Sequence, residues 1–447
     1  MKNTHKKTFI FYLFSLSLWS FSASVLAIDL LTSVQQAEQY DAELQAARFQ
    51  LQSVIESRPQ IKSALLPQIN FDIFYTKSEQ EIRNSSRPAL IPNDAFKVDT
   101  DGYKLSLNQS IYKHDLYLKL EQADLNIAKA NVDFETQKQL LLSHISQAYF
   151  DVLAAQDNIK FTQSEKKAIE QQLKQAQQRF NAGLNAITDV KEAQAHFDIA
   201  VANEISAQNQ LAISLETLQT QTGEIKTSLK SLSHDIPLLN PEPNNMGEWV
   251  LTASKNNPAL KAAQYALQTT QKEIDISRAG HYPSLGLSAQ RSFSSPNNSS
   301  FVVRDSIDTS ITLNLNVPIY SGGNTSAKKR QAIANKNKQQ ALLNKVSRQT
   351  TQQCRNSFLG MHSSIARVRA LQRALESTQV AYQATQTGFD AGIRTSVEVL
   401  TALREQYRAE RDYAQARYDY IMQLLGLKQA AGILNVDDIK QINQWLE

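Results

Sequence analysis

Two hydrophobic patterns alternate along this chain, and the alternation runs through twice. A helix over about Leu30 to Leu66 gives way to runs of period two. In the first run Ile69, Phe71, Ile73 and Tyr75 alternate with Asn70, Asp72 and Phe74; in the second, Tyr103, Leu105, Leu107 and Ile111 alternate with Lys104, Ser106, Asn108 and Ser110. Such spacing predicts strands with one apolar and one polar face. A glutamine- and alanine-rich helix follows from about Asp115 to Asn181, then another from about Ile187 to Thr222. The second half predicts a helix over about Trp249–His281, strands carrying Leu285, Leu287 and Ala289 and then Ile311, Leu313, Leu315 and Val317 on one face, and helices over about Ala327–Asp390 and Thr395–Ala431.

The two halves match at their junctions. The window QRFNAGLNAITDVKEAQ from Gln178 returns 209 positions later as TGFDAGIRTSVEVLTAL from Thr387. Phe180 pairs with Phe389, Gly183 with Gly392, Leu184 with Ile393, and the acidic Asp189 with Glu398. Gly223 pairs with Gly432 at the same offset, Tyr112 with Tyr320 at 208, and Leu66-Pro67 with Tyr282-Pro283 at 216. The chain therefore divides into a first repeat at 28–223, with strands inside 67–112 and a helical tip at 181–189, and a second at 249–432, with strands inside 283–320 and a tip at 389–398. A proline-bearing linker, 224–248, joins them, and the tail 433–447 is expected to pack on the middle of the helices. Gly183 and Gly392 suit the left-handed position that ends a helix. Thr188 or Asp189, and Thr395 or Ser396, can cap the helix that follows.

At a rise of 1.5 Å per residue the two longest helices reach roughly 100 Å, and their neighbours roughly 50 Å. Two short helices stacked end to end therefore match one long one. Helices so rich in Ala and Gln make a thin wall wetted on one or both faces, not the core of a compact globule. Strands of about ten residues with one apolar face suit an outer-membrane barrel. Taken alone they suit an amphipathic sheet packed on helices equally well. Four strands are too few to close a barrel, so strands in lipid would have to be shared among several protomers. The segments Lys77–Asp101 and Ser292–Asp308 read as turn-rich loops.

Residues 1–27 have the basic start, apolar middle and small terminal residues of a secretory signal peptide. Position 28 is Ile rather than Cys, which closes N-terminal lipidation. Removal of the signal takes the formal charge from +4 to +1, a balance unlike that of nucleic-acid binders. No later run is apolar enough for a spanning helix. The single cysteine, Cys354, reads as a packed helix residue, and the histidines show no metal-ligand spacing. No nucleophile–base set is present, so enzyme, metal and cofactor readings all fall away. Ser321-Gly322-Gly323 lacks the Gly-Lys-Ser/Thr of a phosphate loop and reads as a strand-to-helix turn.

The segments AYFDVLAAQDNIKFTQSEKKAIEQQL from Ala148, QRFNAGLNAITDV from Gln178, VPIYSGGNTS from Val317, GFDAGIRTSVEVL from Gly388 and ARYDYIMQLLGLKQAAGIL from Ala416 resemble the TolC family of outer-membrane efflux ducts. The resemblance spans nearly all of 28–440. It implies a mainly α chain with a β-barrel portion: a homotrimer whose twelve-stranded barrel lies in outer-membrane lipid and continues into a long periplasmic helical tube. It also implies that a periplasmic adaptor protein and an inner-membrane transporter dock at a closed entrance formed by the tips, and that drugs or secreted polypeptides leave through the lumen. Without the resemblance, a soluble periplasmic helical scaffold or adaptor remains the alternative.

Matched by position, the resemblance makes Thr188 and Asp189 latch acceptors, Arg394 the arginine that bonds them, Gln172 a further latch residue and Glu398 a lumen carboxylate. Gly183, Leu184, Gly392 and Ile393 form the adaptor-docking tips. Two positions depart from the family pattern. Phe389 stands in place of a latch tyrosine and Thr401 in place of a second carboxylate, which implies a less anionic constriction with one fewer hydrogen bond.

Overall fold

The computed structural model describes residues 27–80, 96–184, 186–224, 228–297 and 304–447. The expected signal segment thus lies almost wholly outside the described residues. The first expected helix is three: α1 (Leu30–Tyr40), α2 (Ala42–Ile55) and α3 (Ser57–Ser63). It breaks at Asp41, which leaves the helical region at φ −62°, ψ 121°. The Asp41 carboxylate then accepts the Leu44 N–H at 2.7 Å and caps α2. The second repeat breaks in the same way between α6 (Met246–Asn256) and α7 (Pro258–Ala279). Asn257 there has φ −58°, ψ 121°, and caps α7 through the Leu260 N–H at 3.2 Å. Asp41 and Asn257 lie 216 positions apart, the offset of the Leu66-Pro67 and Tyr282-Pro283 pairs. The proline after Asn257 bars it from helical geometry; at Asp41 the side-chain cap alone sets the break.

The long helices are α4 (His114–Asn181) and α8 (Asn324–Asp390), and each turns back into a 36-residue helix, α5 (Ile187–Thr222) or α9 (Ser396–Ala431). Along α4, α2 and α3 pack above α5; along α8, α7 packs above α9. Both α7 and α9 also touch α4, so the repeats lie side by side in one layer. Gly322 and Gly323, at φ 61° and 81°, make the turn into α8.

The apolar core is concentrated at the waist. Ile145, Tyr149, Phe150 and Leu153 of α4 meet Met361 of α8 and Tyr420, Ile421 and Leu425 of α9 there, and Cys354 is buried among them. Two fully buried tyrosines staple the linker to this core. The Tyr149 hydroxyl reaches the carbonyls of Ile28 at 3.1 Å and Lys230 at 2.8 Å. The Tyr420 hydroxyl accepts the Leu239 N–H at 2.7 Å and donates to the Pro237 carbonyl at 3.1 Å. The tail forms α10 (Val436–Asn443), buries Ile439 and Ile442, and bridges Leu446 to Leu232 of the linker.

At the far end of the long helices four strands form one antiparallel sheet in the order β1 (Gln68–Gln80), β2 (Phe96–Lys113), β3 (Ser284–Asn297) and β4 (Ser306–Asn316). The strands are longer than the sequence suggested. β1 and β2 run into the segment read as a loop at Lys77–Asp101, and β3 and β4 into Ser292–Asp308, because cross-strand pairing continues through polar residues such as Lys77↔Asp99. The remainders of both loops, 81–95 and 298–303, lie outside the described residues. β2 pairs with β3 and so joins the repeats.

Register places Ile69, Leu107, Ala289 and Ile311 in one row and Ile73, Tyr103, Phe293 and Ile307 in another, all on one face. Asn70, Ser106, Gln290 and Ser310 share the other face. Tyr103 stacks on Phe293 with ring centroids 5.5 Å apart. Arg291, aligned with Leu105, interrupts the apolar face. This face is bare: Ile311 is 76% exposed and Ile73 78%. No helix among the described residues is long and apolar enough to cross a membrane, and the family resemblance expects the bare face of the sheet to carry the lipid contact. Ile311→Lys should then cost about 2–4 kcal/mol if the residue sits at mid-bilayer. It should abolish the heat-modifiable band on unboiled gels, whereas Asn314→Lys on the polar face should leave that band intact.

Candidate functional site at the hairpin tips

Both helical hairpins turn by the same backbone device. Gly183 (φ 72°) and Gly392 (φ 76°) adopt the left-handed conformation. The N–H of Leu184 bonds to the Arg179 carbonyl at 2.9 Å, and that of Ile393 to the Gly388 carbonyl at 2.8 Å. These six-to-one bonds satisfy carbonyls that the helix end would otherwise leave open. The turn throws the next side chain outward, so Leu184 is 74% and Ile393 80% exposed. No heavy atom lies within 4 Å of a Cβ built on either glycine. Each tip therefore presents an apolar knob beside an open shelf over its glycine.

The following helices start differently. Thr395 caps α9 through a full capping box: its hydroxyl accepts the Glu398 N–H at 3.3 Å, and Glu398 Oε2 accepts the Thr395 N–H at 2.7 Å. In the first repeat the cap position of α5 is Ala186, with no side-chain bond, so the capping expected of Thr188 or Asp189 does not occur. Both residues lie instead inside the first turn, where the Asp189 charge complements the helix dipole.

Arg394 also departs from expectation within the protomer. Its Nη1 bonds Glu398 Oε1 at 2.8 Å, and among the described residues no bond joins it to Thr188 or Asp189. At the entry to α9 the four-residue spacing brings guanidinium and carboxylate within reach of each other. The Thr395 backbone N–H and the Arg394 side chain together hold the Glu398 carboxyl below the usual carboxylate range. The Thr401 hydroxyl folds back on the Val397 carbonyl at 2.8 Å.

Phe389 is buried, at 5% exposure, and the Arg179 guanidinium lies 4.2 Å from its ring centroid. The position expected to lack a bond is therefore occupied by a cation–π contact between the two hairpins. Gln172, also buried, donates to Gln386 of α8 at 3.3 Å. Further from the tips, Arg411 of α9 bonds the buried Glu165 at 3.1 Å, and the Tyr418 hydroxyl donates to Asp157 at 2.7 Å. Between these contacts Ile169 and Ala176 of α4 join Val190 and Ala193 of α5 and Leu400 and Leu403 of α9 in an apolar cluster. Arg179, Glu165, Gln386 and Arg411 escaped the sequence reading. Their one signal was the recurrence of Asp157, Glu165, Gln172 and Arg179 every seven or eight residues, a stripe along one face of α4.

Comparison with known proteins places this architecture. The chain is 33% identical to outer membrane protein TolC of Vibrio cholerae, over 97% of each chain. It is 27% identical to the proteases secretion protein PrtF of Dickeya chrysanthemi, over 95% of this chain and 92% of that one. The crystal structure of the Campylobacter jejuni CmeC outer membrane channel matches with a TM-score of 0.76 at 15% identity, covering 94% of this chain and 90% of that one. The family described as outer membrane efflux protein matches residues 33–224 and 249–433, so these two sets of hairpins and strands, on both sides of the linker, mark the chain as a member of the outer membrane efflux protein family.

Proposed function

We propose that three copies of this chain close one barrel, that their hairpin tips shut its periplasmic end, and that a periplasmic adaptor and an inner-membrane transporter engage the duct there. The chain is an outer-membrane exit duct for efflux or secretion, with a periplasmic helical portion. The observation that carries the trimer is the four-stranded sheet, which among the described residues is bare on its apolar face and unpaired at β1 and β4. A soluble scaffold would bury that face. Transport through such a duct needs no reaction in this chain, because the partner pump supplies the energy.

At the gate, Arg394 uses one N–H on Glu398 among the described residues and keeps further donors of its planar fork for Asp189 or Thr188 of an adjacent copy. Each such exposed bond contributes about 0–1 kcal/mol. Three of them bias a closed state that a bound adaptor can still open. Arg394→Ser should raise single-channel conductance in planar bilayers; unchanged conductance would place the latch elsewhere.

Three Glu398 carboxylates would ring the entrance and favour cations, with Glu398→Ala lowering that preference. Because its proton affinity is depressed in the folded state, the Glu398 charge and its cap are complete above the ordinary carboxylate range and are lost as pH falls below it. The Glu398 cap on α9, followed by the carboxyl's own titration within one chain, should accordingly persist through mild acid and be lost only at lower pH. A midpoint at or above the ordinary carboxylate range would contradict this.

For docking, Leu184 and Ile393 supply apolar grip, and the shelf over Gly183 and Gly392 lets the partner's backbone approach. Gly392→Asn keeps a residue tolerant of the left-handed conformation while filling the shelf. It should abolish drug export at normal trimer levels, as should Ile393→Asp. Normal drug resistance in both variants would remove the tips from the docking surface.

A further inference from the structure

Beneath the barrel, four cations make no ion pair or side-chain hydrogen bond among the described residues. Lys62 lies at the end of α3, Arg278 at the end of α7, and Lys329 and Arg330 in the second turn of α8. Helix dipoles favour a cation at the ends of α3 and α7, but not near the start of α8. Nor does α8 compensate these charges along its length, because the sequence from Thr309 to Leu375 contains no aspartate or glutamate.

Contacts between helices put all four at one height. α4 and α8 run away from the sheet, and α3 and α7 run toward it, so neighbours are antiparallel. Lys272 of α7 pairs with Glu121 of α4, and Arg58 of α3 with Asp124. A Cβ built on Gly280 would lie 3.1 Å from the Thr325 methyl of α8. Counting from these contacts sets Arg278 level with Asp115 of α4, Lys329 with Tyr117, Arg330 with Leu118 and Lys62 with Leu120. That span is roughly 8 Å at 1.5 Å per residue. Exposed Tyr117 sits within it, and exposed Ile319 and Tyr320 precede α8 just above.

The four cations also share a face. A cleft under the polar face of the sheet is lined by Ser284 and Asn316 together with Lys113, Ser277, Lys328 and Asn335, so it opens on the proposed lumen. Arg330 is turned about 200° from Lys328, at 3.6 residues per turn. On the opposite side of the wall, Asp124, Gln271 and Asp275 line a groove between α4 and α7. Arg278 follows Asp275 by three residues, and Lys62 follows Arg58, the partner of Asp124, by four; both spacings keep a side chain on one helix face. Asp275 is the carboxylate at this height on the outer face among the described residues, so the positive charge is in excess there.

Across the layer the order is α3, α4, α7, α8. Joining β4 of one copy to β1 of the next brings α8 of the first beside α3 of the second, because α3 leads into β1 and β4 leads into α8. Lys329 and Arg330 then approach Lys62 of the next copy at the same height. Like charges brought together at a boundary repel unless an anion lies between them. We propose that each boundary between copies, at the foot of the barrel, binds the phosphate of an anionic phospholipid of the periplasmic leaflet. Arg330 and Lys329 of one copy and Lys62 of the next hold it, with Arg278 one turn above Arg330's level. Long basic side chains reach from a protein wall to the headgroup layer, and the arginine fork matches a phosphate. Tyr320 and Ile319 meet the acyl chains just above, as aromatic and apolar residues do at a membrane interface, which selects a lipid over free phosphate. The site rests on the shared-barrel reading, since neither copy completes it alone.

The test is native mass measurement of the full-length protein in mild detergent, titrated with phosphatidylglycerol or with zwitterionic phosphatidylcholine. The trimer should retain phosphatidylglycerol severalfold better. Lys62→Gln and Arg330→Gln should each lower that preference severalfold, and Lys62→Arg should keep it. Lys328→Gln, on the lumen cleft, and Arg291→Gln, high on the apolar face, should leave it unchanged. The trimer mass reports in the same spectrum that each variant is assembled.

An intact trimer without lipid preference would overturn the site and leave the shared barrel standing. So would a preference lost in Arg291→Gln but kept in Lys62→Gln, which would move the lipid to the other leaflet. Inorganic phosphate at equal concentration should not displace the lipid; displacement would mark an anion site indifferent to the membrane and contradict the proposal. A single chain in place of the trimer would refute the shared barrel first, and the boundary site with it.

Discussion

A sheet edge cannot rest in hydrocarbon, because backbone N–H and C=O groups have no partner there and each unmet group costs several kcal/mol. The arrangement of this chain follows from that constraint. Among the described residues its sheet has two open edges, β1 and β4, and an apolar face with nothing packed upon it. In the proposed trimer, each β4 edge meets the β1 edge of the next copy. All strands alternate in direction, so this closure keeps the ladder antiparallel. Once the barrel is shared, the helices hanging from it must be shared as well, each copy supplying one sector of a thin wall. Such a wall has little interior, which explains why the large buried side chains gather at the waist around Tyr149 and Tyr420 while most of the rest of α4 and α8 is polar, charged or alanine.

The two repeats build the wall alike, and the proposed gate rests on the places where they differ. The two tips share glycine geometry, hydrogen bonds and an exposed apolar knob. They differ where function needs a difference. The second tip is rigidified by the Thr395–Glu398 capping box and carries Arg394; the first begins its helix at Ala186 without a side-chain cap and carries Asp189. One tip carries an arginine paired with its own carboxylate, the other an aspartate in a helix turn without a side-chain cap. In the proposed gate, Arg394 and Asp189 would give a contact that forms readily and yields to a competing partner.

Much of this was legible in the sequence, for identifiable reasons. Strand faces were readable because a period of two in Ile69, Phe71 and Ile73 has no other regular meaning. The tips were readable because a glycine 209 positions from its twin marks a backbone requirement in both places. The helix break at Asn257 was available in the Asn-Pro pair and was passed over; the break at Asp41 had no comparable local mark, because an aspartate is as common on a helix surface as in a cap. Within the chain Arg394 has a local partner, Glu398, one turn away, which the family resemblance does not mark. The Arg179–Phe389 contact was illegible, since a cation–π pair joins residues 210 positions apart and leaves no trace in either local pattern.

The central claim is that the four strands are a third of a barrel. Native mass measurement of the full chain extracted in mild detergent tests it most directly. The account requires a single species of three chains that persists on dilution and collapses to one chain when the barrel is melted by heat. A monodisperse single chain, stable in detergent or freely soluble without it, would contradict the shared barrel and the gate built upon it.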